Sequence, residues 1–192
     1  KEVKVVGNIR VSPETIVLFG DIRVNEDYNA QKINELTKQL YDTNFFSFLE
    51  INLNNGVLEI SVKENPIIQN LIFNGIKAKK FETAILGVIE LKEKTSFVEN
   101  KLNNDIQKIK SAFKNLGFYF IEVEAYGKEN VNNSIDIIYE INLGKRARIG
   151  KILFIGDKKF KDNKLRGIIT SEESKAWKFI SSKKYLNQER IK

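Results

Sequence analysis

The chain has 192 residues, of which 42% are apolar and 30% charged; it carries 32 Lys and Arg against 25 Asp and Glu, and no His, Cys or Met. Without cysteine there is no disulfide framework, zinc ribbon or thiol nucleophile, and without histidine the usual general base and commonest metal ligand are missing. The longest apolar run, Ala84-Ile85-Leu86-Gly87-Val88-Ile89, is six residues, against the roughly 20 that a spanning helix needs.

Lys1-Glu2-Val3-Lys4-Val5-Val6 alternates like a strand rather than a signal peptide and runs into Gly7-Asn8. The abrupt start and stop suggest a piece of something longer. Ser12-Pro13-Glu14 then supplies an N-cap, a proline at the first helical position and an acid in the first turn of a short helix. A longer helix follows, with Ala30, Ile33, Leu36, Leu40 and Tyr41 on one stripe and Asn44 at its end, where the left-handed conformation is tolerated. Two strands, 46–53 and 57–63, flank the tight turn Asn54-Asn55-Gly56 and form a hairpin.

The same order then recurs. Asn70-Leu71-Ile72-Phe73-Asn74-Gly75 repeats the strand ending at glycine, and residues 81–89 form the short helix. Val98, Leu102, Ile106, Ile109, Phe113 and Leu116 step like the apolar face of a long helix, with Ser96 and Glu99 at capping-box spacing and Gly117 at the end. Strands at 118–127 and 134–141 close this unit through a longer polar connection. A third copy opens with Lys151-Ile152-Leu153-Phe154-Ile155-Gly156-Asp157 and a short helix at 160–169, and stops within its long helix at 186–192. The pattern divides the chain into domains at 1–65, 66–144 and an incomplete 145–192, with joints at Glu64, Asn65, Pro66 and Gly144. Pro66 forces extended geometry on its predecessor and stiffens the first joint. Net charge is −3, zero and +10 across the three segments, which we read as solvated lysines rather than a ligand patch.

The predicted fold is α+β. Each complete unit is β-α-α-β-β, a three-stranded mixed sheet packed on two helices, about the smallest sandwich of this kind that balances. Outer strands of so small a sheet keep unpaired backbone N–H and C=O groups.

The run Val6-Gly7-Asn8-Ile9-Arg10-Val11-Ser12-Pro13-Glu14-Thr15-Ile16, the segment Leu40-Tyr41-Asp42-Thr43-Asn44-Phe45-Phe46 and the junction Glu64-Asn65-Pro66-Ile67-Ile68 resemble the POTRA repeats of the BamA family. Ile72-Phe73-Asn74-Gly75, Leu116-Gly117-Phe118-Tyr119 and residues 148–156 recur at the matching places, so the resemblance covers essentially the whole chain. Asn44 and Ile76 depart from the glycine and asparagine usual at those points. The resemblance implies tandem POTRA repeats at the periplasmic face of the bacterial outer membrane, attached only through a C-terminal barrel lying outside this sequence. It also implies no catalytic step, cofactor or metal. The implied partners are unfolded outer-membrane β-barrel proteins, accessory assembly lipoproteins and periplasmic chaperones. Such a segment has one evident physical route to its clients, β-augmentation, in which an extended segment adds a strand to a sheet edge. In the family's sheet order the first hairpin strand lies at that edge. The expected contacts are therefore Phe46, Phe48, Glu50 and Asn52 on one face of the first such strand, and Tyr119, Ile121 and Val123 on one face of the second. Core packing competes for the last two side chains.

Other readings are weaker. Ser181-Ser182-Lys183-Lys184 matches a Ser-x-x-Lys nucleophile motif without its companions. Glu122 with Glu124, and Asp136 with Glu140, share strand faces and read as solvated surface rather than paired acid–base groups. Trp177, Phe179 and Tyr185 among lysines could stack nucleic-acid bases, yet no RNA-binding signature accompanies them, and no nucleic acid is expected. POTRA regions of translocation or secretion pores remain an alternative setting for the same fold. The opening strand at 146–155 lacks a hairpin to pair with, which predicts either disorder or pairing with a neighbouring molecule.

Overall fold

A computed structural model of the chain describes residues 2–23, 26–153, 155, 161, 164, 165 and 168. The elements run β1 (Glu2–Val6), α1 (Pro13–Phe19), α2 (Ala30–Asp42), β2 (Phe46–Asn54), β3 (Val57–Glu64), β4 (Ile67–Asn74), α3 (Lys79–Val88), α4 (Glu99–Asn115), β5 (Glu122–Asn130) and β6 (Ser134–Asn142). The order strand, short helix, long helix, strand, strand therefore appears twice. Both sheets have three strands, ordered β1-β3-β2 and β4-β6-β5.

In the first sheet β1 runs parallel to β3, from Glu2 opposite Val57 to Val6 opposite Ser61. Strand β2 runs antiparallel to β3, with Leu49 opposite Val62 and Asn54 opposite Val57. Asn55 and Gly56 connect the hairpin with φ of 51° and 82°, the pair of positive angles that matches a two-residue turn to strand twist. A parallel pair needs a crossover, and α1 and α2 supply it. Their buried Ile16, Leu36 and Leu40 meet Phe46, Leu49, Leu58, Ile60 and Val62 in one core. Ser12 caps α1, accepting from Thr15 N at 3.2 Å, with Pro13 in the first turn as expected. In the second repeat Ile85, Leu102, Ile109 and Phe113 on the helices are buried, as are Ile135, Ile137, Tyr139 and Ile141 on β6.

The strand-ending glycines are required for more than turn geometry. Gly7 has φ +88°, and a Cβ there would lie 2.2 Å from the Val62 carbonyl oxygen. Gly75 has φ +81°, and a Cβ there would lie 1.9 Å from the Ile141 carbonyl oxygen. In each sheet the chain leaving the opening strand crosses the closing strand too closely for any side chain. Asn44 takes φ 60° and Gly117 takes φ 91°, so the two long helices end on left-handed residues at matching positions.

Three local expectations are corrected. Ser96 does not cap α4: it bridges Ile67 in extended geometry, and its buried hydroxyl has no hydrogen-bond partner. Phe97 N is bound to Pro66 O at 2.8 Å, which holds this segment straight, and the helix begins at Glu99. Strand β5 begins at Glu122 rather than 118, because Tyr119 and Phe120 form a turn first. Phe46 also leaves the face assigned to it. A register shift between Phe46 and Phe48 makes Ser47 an extra residue, and alternation restarts beyond it. Phe46 is 3% exposed on the core side, whereas Phe48 is 50% exposed on the outer face.

Residues 146–153 contain no named strand; Ala147 donates to Gly117 O at 2.8 Å, and Arg146 Nε to Leu116 O at 2.6 Å. Phe154, Gly156 and most of the expected helix at 160–169 lie outside the described residues, as do Trp177, Phe179, Ser181 to Lys184, Tyr185 and 186–192.

Candidate functional site

The first hairpin strand is at an edge in both sheets. Which backbone groups it offers follows from register. A two-residue turn makes Asn54 and Val57 a hydrogen-bonded pair, and such pairs recur at every second residue of an antiparallel ladder. Asn54, Asn52 and Glu50 therefore turn their N–H and C=O groups toward β3, opposite Val57, Glu59 and Ser61. Leu53, Ile51 and Leu49 turn theirs away from the sheet. Their side chains share the helix side of the sheet, where Leu49 and Ile51 join the core and Leu53 is exposed, so the side chains of the opposite face belong to Phe48, Glu50 and Asn52. Asn52 Nδ2 donates to Glu50 Oε1 at 3.2 Å on that face.

The outward groups are not all free. Tyr41, in the last turn of α2, places its hydroxyl 3.1 Å from Leu49 N and accepts that proton. The bulge immediately before it is fastened by Ser47 Oγ donating to Lys63 O at 3.1 Å. The start of the β2 edge is thus closed, and the outward groups of Ile51 and Leu53 remain at the open part. Tyr41 was expected as a core residue of the helix stripe; it is 41% exposed, and its phenol ends at the sheet edge.

Strand β5 holds the equivalent place in the second sheet. Ile121 and Val123 are 6% and 4% exposed, so these side chains are core and only the backbone of the strand is presented at the rim. Tyr119 precedes the strand and does not share its alternation. Glu122, Glu124 and Tyr126 are exposed on the outer face. Asn142 Nδ2 donates to Glu122 Oε2 at 3.2 Å, and Asn74 Nδ2 to Glu140 Oε1 at 2.7 Å. Hydrogen bonds from Asn130 and Asn70 hold the Asp136 carboxyl below its ordinary value. Neither carboxylate pair is enclosed, and these groups form a polar ladder on an open sheet face.

The residues expected at the joints make defined local contacts. Glu64 is 2% exposed, and its Oε1 accepts from three successive backbone donors, Ile9, Arg10 and Val11, at 2.7, 2.8 and 2.9 Å. Arg10 Nε lies 3.3 Å from Oε2. Burial raises the Glu64 carboxyl, but the three N–H groups and the Arg10 guanidinium outweigh it and hold the group below its ordinary value. Asn65 N donates to Phe45 O at 2.7 Å and its Nδ2 to Asn44 O at 2.9 Å. Gly144 has φ +61° beside Phe120.

Asp105 was not singled out from sequence. It is fully buried on α4, accepting from Glu90 N at 2.6 Å and from the Tyr139 hydroxyl at 3.3 Å. Burial and the adjacent Asp105 carboxylate push the Tyr139 phenol well above its ordinary value. Each repeat therefore uses one buried acid to hold a loop by its backbone, through three N–H groups from β3 in the first and through Glu90 N from α4 in the second. Among the described residues no group of three or more acids is arranged to hold a metal ion, and no helix is long and apolar enough to cross a membrane.

Residues 66–144 match the POTRA family, described as a surface antigen variable number repeat. Across 193 aligned residues, 99% of this chain, the protein is 26% identical to the outer membrane protein assembly factor BamA of Neorickettsia risticii (strain Illinois). It is also 26% identical to BamA of Neisseria meningitidis serogroup B over 194 aligned residues, the full length of this chain. The chain spans 26% and 24% of those two relatives, about a quarter of each. The fold is similar to the N-terminal domain of Omp85 from Thermosynechococcus elongatus, with a TM-score of 0.50 and 13% identity, covering 99% of this chain and 80% of that one.

Proposed function

With residues 66–144 a POTRA domain and the chain aligned over its length with BamA proteins, we propose that it is a tandem POTRA segment serving outer-membrane protein assembly. In this reading the repeats span 1–65 and 66–144, with an incomplete third at 145–192, on the periplasmic side of the outer membrane. They are non-enzymatic. They receive unfolded β-barrel precursors as added strands and dock the accessory lipoproteins and chaperones of the machinery.

One observation carries this reading: in both sheets the first hairpin strand lies at a rim, across the central strand from the opening strand, and its outward backbone groups face no other strand among the described residues. Backbone pairing tolerates sequence variation, which suits a receptor for many clients that share alternation but little else. The occluded alternation in barrel strands would also set apolar side chains against one side of the rim and polar ones against the other.

Register sharpens the test. Proline at Ile51 removes an outward donor, whereas proline at Asn52 removes a donor aimed at β3. Ile51→Pro is expected to weaken binding of a barrel-strand peptide about tenfold, with Ile51→Ala controlling for lost packing. If folded Ile51→Pro and a matching proline scan through 122–130 leave peptide affinity unchanged, docking by strand addition is wrong.

A further inference from the structure

The two rims differ in one chemical detail. Aligning the left-handed residues Asn44 and Gly117 that end the long helices, and the following Phe45 and Phe118, places Tyr41 opposite Lys114. A phenol oxygen can accept a backbone N–H; an ammonium group has only donors and cannot. In the first repeat Tyr41 takes the Leu49 donor at 3.1 Å. Among the described residues no side chain takes a backbone donor of β5. The first rim also begins with a bulge at Ser47, a device that turns an edge away from pairing.

We propose that Tyr41 is a removable cap on the β2 rim, so that an extended strand joins the open β5 rim first and reaches the full length of β2 only after displacing the Tyr41 hydroxyl. This rests on the strand-docking reading above and adds an order to it. The hydroxyl occupies the first outward donor of β2, while Ile51 and Leu53 stay available. An incoming strand therefore either pairs with a shortened edge or exchanges its own carbonyl for the phenol. Tyr41 is half-exposed, so it can swing away without opening the core. The exchange replaces one hydrogen bond by another, which leaves β2 competent but weaker than β5 by about the net worth of one such bond.

The test uses the whole chain and a short peptide of alternating Val and Thr, with a photo-crosslinking side chain placed at Asn52 for β2 or at Glu124 for β5. In the wild type, β5 labels at lower peptide concentration than β2. Tyr41→Phe keeps the ring and removes the acceptor; it is expected to strengthen labelling at β2 roughly three- to tenfold and leave β5 unchanged. Exchange of the Leu49 amide with solvent should speed up in the same variant without peptide, which checks that the cap has been removed in a folded protein. If Tyr41→Phe changes neither β2 labelling nor Leu49 exchange while Ile51→Pro abolishes β2 labelling, the cap is wrong and strand docking stands. Equal strengthening at both rims also overturns it, since that reflects general loosening. If folded Ile51→Pro labels at β2 like the wild type, strand docking itself fails and the cap with it.

Discussion

Glu64 offers a sharp test of how the first repeat is held together. Its Oε1 accepts from Ile9, Arg10 and Val11 at 2.7 to 2.9 Å, and Arg10 Nε lies 3.3 Å from Oε2. Hydrogen bonds to a charged partner contribute about 1.5–3 kcal/mol each, and removing one side of a buried ion pair costs about 3–5 kcal/mol. Three bonds to one oxygen do not add fully, and water reaches part of this loop, because Ile9 is 71% exposed. Glu64→Ala is therefore expected to destabilise the first repeat by about 3–5 kcal/mol. Glu64→Gln keeps a carbonyl acceptor but loses the charge, for about 1–2 kcal/mol. At about 4–8 °C per kcal/mol for a domain of this size, the alanine variant should melt roughly 12–40 °C lower. Thermal melts give the midpoints, and amide exchange at residues 9–11 reports on the loop itself. The sign with pH follows from the lowered carboxyl. The contribution is fully present above the unfolded value of 4.5 and is lost as pH falls through the lower folded value. The alanine variant should therefore have a flatter stability profile in acid than the wild type. A loss below about 1 kcal/mol in Glu64→Ala, with residues 9–11 still protected, would refute this account of the loop.

Other predictions follow from the same geometry. Gly75→Ala and Gly7→Ala force a Cβ to within 1.9 and 2.2 Å of a strand carbonyl at positive φ, so each should cost more than about 3 kcal/mol in urea unfolding. Gly56→Ala meets nothing within 4 Å and should cost only about 1 kcal/mol, the penalty of φ +82° alone. Asp105→Ala removes a fully buried carboxylate that accepts from Glu90 N and from the Tyr139 hydroxyl and should cost about 3 kcal/mol, whereas Tyr139→Phe, which loses one bond of 3.3 Å, should cost about 1 kcal/mol. Both are read by the same unfolding measurement.

Much of the fold was legible because it rests on local chemistry. Ser12 and Pro13 start α1, Leu36 and Leu40 lie on the buried side of α2, and Leu102, Ile109 and Phe113 do so on α4. Asn44 takes the left-handed turn that its side chain tolerates. What escaped depends on partners distant in sequence or on a single inserted residue. Glu64 and Asp105 look like surface acids until the loops they grip, 53–55 and 15 residues away, fold back onto them. The Ser47 bulge left no periodic mark, because Phe46, Phe48 and Leu49 are all apolar and fit either face. Ser96 had the spacing of a cap, but pairing of its backbone with Ile67 took precedence over helix entry. For the proposed docking edges, the hairpins were readable from alternation and turn residues, and their place at a rim followed from the resemblance. Which backbone groups face outward was not readable, since that phase is set by the turn and the register.

The most direct measurement is amide exchange along β2 and β5, residue by residue, with and without a barrel-strand peptide. Strand addition predicts new protection at Ile51 and Leu53, whose donors face away from β3, with no change at Asn52 and Asn54, which already pair with it, and new protection at alternate residues of β5. Peptide binding that leaves every one of these edge amides exchanging as before, while shifting side chains elsewhere, would contradict the account.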